Sequence, residues 1–150
     1  MTDKELHYKK LERMYLKSAS INLSFFETTT LNIEASKATV SLEIGPKYYH
    51  ALGAIHGSVY FKLLDDAAFF AVNSIVHDVF VLTTNFSINI VRPVSKGLIT
   101  AIGKVKFSST NLWIAESSII DYKGKEIAFG TGHFARSKVP LTPEIGYSLK

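Results

Sequence analysis

The spacing of apolar residues changes period three times along this chain. Between residues 4 and 18, Leu6, Leu11, Met14 and Tyr15, followed by Ala19, recur at helical spacing with charges filling the gaps, which predicts a short amphipathic helix that caps the domain. From Ala38 to Ile44 the apolar residues Ala38, Val40, Leu42 and Ile44 alternate with Thr39, Ser41 and Glu43, the two-residue period of a half-buried strand. Residues 28–34 read as its hairpin partner and Ala35-Ser36-Lys37 as the turn, and Gly45-Pro46 ends the pair.

A loop over 47–56 holds Tyr48, Tyr49, His50, Gly53 and His56. After it, residues 57–76 form the longest apolar segment, with neither Gly nor Pro in its interior. At 100° per residue Lys62, Asp66 and Asn73 fall within about 40° of one another, and nearly everything else is Phe, Leu, Val, Ile, Tyr or Ala. A helix apolar over most of its circumference must be surrounded by protein, so this is the expected central helix. Four strands are predicted after it, at 79–91, 97–109, 112–122 and 125–136, separated by short turn-like runs around Arg92-Pro93, Ser108-Asn111 and Asp121-Lys125. Connections this short imply antiparallel neighbours. Beyond Pro140 and Pro143 a loose tail is expected over 138–150. The predicted order is helix, two strands, buried helix, four strands. It fits a single domain over residues 1–150 of the α+β class, a curved antiparallel sheet wrapped around one long helix.

Composition narrows the chemistry. A chain of 150 residues with 47% apolar and 20% charged residues is ordinary for a globular domain. With no cysteine, disulfide scaffolds, thiolate metal sites and cysteine nucleophiles are excluded. The net charge of +4 is too small and too dispersed for a dedicated nucleic-acid protein. Between Asp78 and Glu116, however, every residue is neutral or basic, and Arg92, Lys96, Lys104 and Lys106 fall in that stretch; they are either solvated strand ends or a surface for a phosphorylated ligand. The first residues lack the apolar core of a secretory signal, and no apolar run is long enough to span a bilayer. A soluble cytoplasmic protein, bound neither to membrane nor to nucleic acid, is the expectation.

Few residues stand out chemically. A carboxylate in so apolar a helix costs several kcal/mol unless exposed, paired or functional. Asp66 has a partner in Lys62 four residues earlier. Asp65 borders the polar face, with Phe61 and Phe69 four residues on either side. It is either a paired structural carboxylate, Lys62 being within reach, or a catalytic base or nucleophile. At the helix start, His56, Gly57 and Ser58 offer unpaired N–H groups and the positive end of the helix dipole to a developing oxyanion. The simpler reading has Ser58 capping the helix and His56 packed beneath. His50 and Thr83 are isolated polar residues beside apolar runs. No His-Glu metal motif, nucleophile elbow, Walker loop or dinucleotide fingerprint occurs.

Taken together, Gly53-Ala54-Ile55-His56-Gly57-Ser58, Leu63-Leu64-Asp65-Asp66-Ala67-Ala68 and Ala71-Val72-Asn73-Ser74 resemble the signature of the hotdog-fold acyl-CoA thioesterases of the phenylacetic-acid-degradation (PaaI) type, G-x-x-H-G-G-x-x-x-x-L-x-D-x-A with A-x-N-S after it. Arg92-Pro93 followed by Gly97, and Asp121 to Gly124, match as well, so the likeness runs over about residues 35–136. The resemblance implies a hotdog fold and hydrolysis of an acyl-CoA thioester without metal or cofactor. It also implies a homo-oligomer, a dimer or dimer of dimers, with the active site at a subunit interface. It points to Asp65 as the activating or attacking carboxylate, to Gly57 N–H as the oxyanion contact from the other subunit, and to Thr83, with Thr84 beside it, as a holder of the water. His56, Ser58, Arg92, Lys96, Lys104 and Lys106 become candidates for substrate contact, the basic residues for the CoA phosphates. Two positions depart from the pattern. His50 stands where the family commonly has an Asn that helps orient the nucleophile, a catalytic role its imidazole can take over by positioning the water; Ser58 replaces the second signature glycine. Both departures keep open a homologue that binds acyl-CoA without hydrolysing it. A hydratase or dehydratase of the same fold lacks its usual motif context. Pocket shape then depends on how Tyr48, Tyr49, Phe69 and Phe70 meet across subunits.

Overall fold

The chain enters its first helix through a capping box. Thr2 Oγ1 accepts from Glu5 N–H (3.1 Å) and Glu5 Oε2 accepts from Thr2 N–H (2.8 Å). The computed structural model describes residues 1–150. Its elements are helix α1 (Asp3–Ser18), a short helix α2 (Ser20–Ser24), strands β1 (Thr30–Glu34) and β2 (Lys37–Ile44), helix α3 (Gly57–Asn73), and strands β3 (Val79–Ile90), β4 (Gly97–Ser108), β5 (Leu112–Ile120) and β6 (Glu126–Pro140).

All six strands form one antiparallel sheet in the order β1-β2-β4-β5-β6-β3, and α3 lies against its concave side. Two small-residue contacts let helix and sheet approach. Ala67 and Ala68 are fully buried on α3, and they face Gly103 on β4, where a Cβ would lie 2.2 Å from the Ala67 carbonyl oxygen. One strand further on, Ser117 Oγ donates to the Leu64 carbonyl (2.8 Å). The core around this contact comprises 33 buried residues.

Two expectations change. Strand β3 does not neighbour β4. It lies at the sheet edge against β6, while β4 sits between β2 and β5. Residues 91–96 therefore cross about 14 Å of sheet, three strand spacings, within the roughly 20 Å that six residues can span. They cross over the start of α3, tied down by Ile55 N–H to the Val94 carbonyl (3.0 Å) and Tyr60 O–H to the Arg92 carbonyl (2.8 Å). Secondly, the end of the chain is docked rather than loose. β6 runs on to Pro140, a single 3₁₀ turn follows at Pro143–Ile145, and Leu141, Ile145 and Tyr147 pack on the core. In addition, α1 and α2 cover most of the polar face of α3. Asn22 on α2 donates to the Tyr15 carbonyl in the last turn of α1 (2.8 Å), and that bond holds the two helices together over α3.

The two sheet edges are finished differently. Beside β1, Glu12 of α1 accepts from the outward Ile33 N–H (2.9 Å). β3 is long and has no covering element, and Leu82 and Ile90 on it are 48% and 45% exposed; no element of this chain pairs with its outer edge.

Candidate active site

The first turn of α3 is capped by His56 itself. Its Nδ1 accepts from Ser58 N–H (3.0 Å), and the Ser58 hydroxyl lies 2.8 Å from the same nitrogen. The expected arrangement, Ser58 as cap and His56 packed beneath, is thus reversed: His56 is exposed and Ser58 turns back onto it. Gly57, at the first helical position, makes no hydrogen bond through its N–H within the chain. Nothing in this chain demands a glycine there, since an added Cβ would meet only Ile90 Cδ1, at 3.7 Å. Gly57 lines a hollow of about 370 Å³ together with His50, Tyr60, Ile90, Arg92 and Pro93. His50 is half-buried, and its Nδ1 accepts from Leu52 N–H (3.1 Å).

Two turns further along α3, the adjacent carboxylates diverge. Asp66 faces α1 and α2. It accepts from the Tyr15 hydroxyl and from Lys62 Nζ (2.6 Å), and Lys62 also donates to Asn22 Oδ1 (2.9 Å) while its ammonium lies over the Tyr15 and Phe26 rings. Burial pushes the Asp66 carboxyl above the usual range against the pull of the Lys62 ammonium. The pairing expected from the four-residue spacing is present, but in a covered network. Tyr15 and Asn22 were not among the candidate residues, because the contacts join segments 40 or more residues apart.

Asp65 is not Lys62's partner. Its Oδ1 accepts from Thr83 Oγ1 on β3 (2.7 Å), and Oδ2 has no partner in the chain. The bond depends on a β-bulge. Thr83 pairs with Phe134 and Asn85 with His133, leaving Thr84 as the extra residue, so Thr83 faces the helix and Phe86 does too, three positions on. Thr84 itself turns away and donates to the His133 carbonyl (3.2 Å). Desolvation raises the Asp65 carboxyl to about 6; the Thr83 hydrogen bond opposes the rise, Asp66 adds to it, and Lys62 lowers it. A carboxylate tuned so close to neutrality, with one oxygen fixed and the other free, can take a proton from water.

Asp65 and Thr83 open onto a second, larger hollow of about 670 Å³, mostly apolar, whose walls include Met14, Phe69, Phe70 and Phe80. Of the aromatics expected to shape a pocket, Phe69 and Phe70 line it. Tyr48 stacks on Phe26 instead, and the Tyr49 hydroxyl donates to the Ser95 carbonyl. The structure thus divides the expected catalytic set in two: Asp65 with Thr83, and Gly57 with His50. Eight residues separate Gly57 from Asp65, about 12 Å along the helix.

The basic candidates are also divided. Arg92 lines the Gly57 hollow and donates to the Glu126 carbonyl. Lys96, beside it in the crossing segment, lies over the Tyr122 ring. Lys104 and Lys106 are exposed on β4, eight or more residues from Lys96 and hence about 27 Å or more along the strand. Lys104 sits opposite Glu116 of β5. No three His, Asp or Glu side chains converge to hold a metal ion, and no helix is long and apolar enough to cross a membrane.

Comparison with known proteins agrees with this architecture. Residues 52–128, just over half of the chain, match the model of the Thioesterase superfamily. Among curated proteins, the candidate esterase SSO2140 of Saccharolobus solfataricus is 25% identical over 133 residues, 87% of this chain and 94% of that protein. The structure of the E. coli PaaI protein from the phenylacetic acid degradation operon superposes with a TM-score of 0.78 at 20% identity, covering 91% of this chain and 99% of that one. A variant of the phenylacetic acid degradation protein PaaI from Thermus thermophilus gives 0.66 at 20% identity over 73% and 93%. With its helix enclosed by a six-stranded antiparallel sheet and the matched segment spanning the Gly57–Asp65 helix, the chain belongs to the thioesterase superfamily and has the hotdog fold.

Proposed function

We propose that this protein is a cytoplasmic homo-oligomeric enzyme that hydrolyses an acyl-CoA thioester to the free acid and CoA, with Asp65 as the activating carboxylate. The observation that carries the reading is the Asp65 carboxylate, anchored to Thr83 through one oxygen and free at the other, at the mouth of an apolar hollow. As general base, Asp65 takes a proton from water as the water oxygen adds to the thioester carbonyl carbon. The carbonyl oxygen becomes an oxyanion beside Gly57 N–H. On collapse the C–S bond breaks and the CoA thiolate leaves, taking up the proton. The carboxyl near 6 suits a base at neutral pH better than an ordinary aspartate. Direct attack by Asp65 through an anhydride gives the same products, and labelling from oxygen-18 water in a single turnover separates the two routes. Neither route requires a metal or cofactor.

Distance supports a second copy of the chain. The carbonyl must lie about 3 Å from the oxyanion donor and from the attacking water, and so one water away from Asp65, whereas about 12 Å of helix separates Gly57 from Asp65 within one chain. The uncovered apolar edge of β3, which carries Thr83, supports pairing through that strand, with Gly57 of one subunit serving Asp65 of the other. His50 and Arg92 would meet the substrate at the Gly57 hollow, with Lys96 beside them for the CoA phosphates. His56 and Ser58 would act from the helix cap. Lys104 and Lys106 could serve only a part of CoA reaching the outside of the sheet. Ser58, which stands where the family has its second glycine, turns its hydroxyl onto His56.

Release of thiol from short, long and aromatic acyl-CoAs, measured for wild type beside Asp65→Asn, tests the reading. Turnover in the wild type that drops at least a hundredfold in the variant supports it. Equal turnover in both rejects the mechanism, and tight acyl-CoA binding without thiol release would make the protein a binder.

A further inference from the structure

We infer that the apolar hollow beside Asp65 is a chamber for a straight aliphatic acyl chain of about eight carbons, closed at its far end by the protein's own C-terminal segment. The inference rests on the thioester reading above. It adds which part of the substrate is held, and by residues outside the 52–128 segment that matches the family.

The hollow starts at Asp65 and Thr83 and extends along β3 as far as Phe80, about 10 Å for three residues of strand. A zigzag of 1.5 Å carbon–carbon bonds advances roughly 1.25 Å per carbon, so that length holds about eight carbons. The volume of about 670 Å³ lies within the range of small-molecule sites. The only other carboxylate on the wall, Asp66, is already bound to Lys62 and Tyr15, so the body of the chamber offers an acyl chain apolar contact. Its roof is the last turn of α1 with the residue that follows it, through Met14, Ser18 and Ala19, and its far wall is Val139 and Ile145. A phenylacetyl group is too short to reach that wall.

The far wall is fixed in place by the tail's contacts with α1. Gly146 has φ +92° and packs so tightly on Ser18 that a Cβ would lie 2.1 Å from Ser18 Oγ. Next to it, the Tyr147 hydroxyl bonds His7 Nδ1 (2.6 Å), and Lys10 Nζ lies 5.2 Å from the centre of its ring. Ile145 is thereby held against the hollow by two adjacent contacts between the last residues and the first helix.

The test compares kcat/KM for butanoyl-, octanoyl-, dodecanoyl- and phenylacetyl-CoA, together with calorimetric binding of the non-hydrolysable thioethers S-butyl-CoA and S-octyl-CoA. It uses wild type, Ile145→Trp and Val139→Phe, the second variant covering any failure of the first to fold. In the wild type, kcat/KM and thioether affinity should rise by about fourfold per methylene up to octanoyl and no further. Each variant, displacing two to three methylenes, should lower both quantities for the octyl compounds by about 30-fold and leave the butyl compounds within twofold. Hydrolysis indifferent to chain length, preference for phenylacetyl-CoA, or octanoyl turnover unchanged in both variants overturns the chamber and leaves the hydrolase reading standing. Absence of hydrolysis with S-octyl-CoA binding that both variants weaken supports the chamber and rejects the hydrolase. Absence of both turnover and thioether binding overturns the two together.

Discussion

Thr83 on the edge strand donates to Asp65 on the buried helix over 2.7 Å, and this bond is the main influence holding the Asp65 carboxyl down against the rise that desolvation imposes. Thr83→Val removes the hydroxyl and keeps the shape. The carboxyl then rises above about 6. Because the base must be ionised to accept a proton, the acidic limb of the kcat/KM profile should move to higher pH. Loss at neutral pH should exceed loss at pH 9, where both forms are ionised. An acidic limb unmoved by the substitution would exclude Asp65 as the titrating base.

The same desolvation gives Asp65 a cost in stability. Its folded carboxyl sits near 6 against a reference value of 3.8, so between those pH values the folded state binds more protons than the unfolded one. Stability contributed by this group therefore falls as pH rises through the window and stays lower above it. Asp65→Asn should unfold at higher denaturant concentration than wild type at pH 7, by about 1–2 kcal/mol, with the advantage vanishing toward pH 4. A variant that loses turnover while gaining stability marks a residue kept for function.

Lys62 is the cation that makes a covered Asp66 tolerable. Lys62→Met leaves the carboxyl with only the Tyr15 hydroxyl and Asn22 without its ammonium partner, which should cost about 3 kcal/mol. Adding Asp66→Asn removes the orphaned charge and should recover a substantial part of the loss. Chemical denaturation of the single and double variants measures this coupling.

Much of the architecture was readable from local pattern. The all-round apolar residues of 57–76 announce a helix enclosed by sheet, and the alternation at 38–44 announces its first wall. Asp65 stood out as a carboxylate between apolar neighbours, but with Lys62 within reach in sequence, pattern alone left a paired structural role open beside a catalytic one. What pattern could not carry lies in contacts between distant segments. The six-residue link at 91–96 reads as a turn between neighbours, and only the curvature of the sheet around α3 lets it cross to β4. The pairing of Lys62 with Asp66 is legible from their spacing, but nothing local shows that Tyr15 and Asn22 cover the pair. Gly146 and Tyr147 look like a loose end until the contacts with Ser18 and His7 are known; a helix wheel places His7 on the face of Leu11 and Met14 but does not say what it meets there. Thr83 is aimed at Asp65 by an extra residue at Thr84, and nothing in local composition marks that bulge.

His7 makes the docking of the tail sensitive to acid. It is buried against His77, with ring centroids 4.1 Å apart, and bonds the Asn73 carbonyl and the Tyr147 hydroxyl. Burial lowers its pKa below 6.5. The Asn73 carbonyl opposes this, and the charges of His77 and Lys10 add to it. The unfolded state then binds the proton first as pH falls through 6.5, so this contribution is complete above that pH and is lost below it, by at most about 1.4 kcal/mol per pH unit. Asp65 contributes with the opposite sign in the adjoining range, so the effect is read as a difference. The wild-type stability curve should fall relative to that of His7→Gln between pH 6.5 and 5, and parallel curves would rule out this role.

Gly57 offers a substitution that separates its N–H from its helix. Proline is well suited to the first helical position, where the N–H has no internal partner. His56, with φ −64° and ψ 147°, already has the extended backbone that a following proline requires. An added Cβ finds only Ile90 at 3.7 Å. Gly57→Pro should therefore fold with near wild-type stability and lose about 10²–10³ in kcat, the usual effect of deleting one oxyanion donor. The variant also tests whether the site is shared. If Asp65 and Gly57 of different subunits serve one carbonyl, inactive Asp65→Asn and inactive Gly57→Pro chains complement each other. Half the dimers in an equal, re-equilibrated mixture are mixed, and each has one intact site of two, so about one quarter of wild-type activity should return. No recovery, in a mixture shown by native mass spectrometry to contain mixed dimers, would mean that the two residues do not act together across the interface.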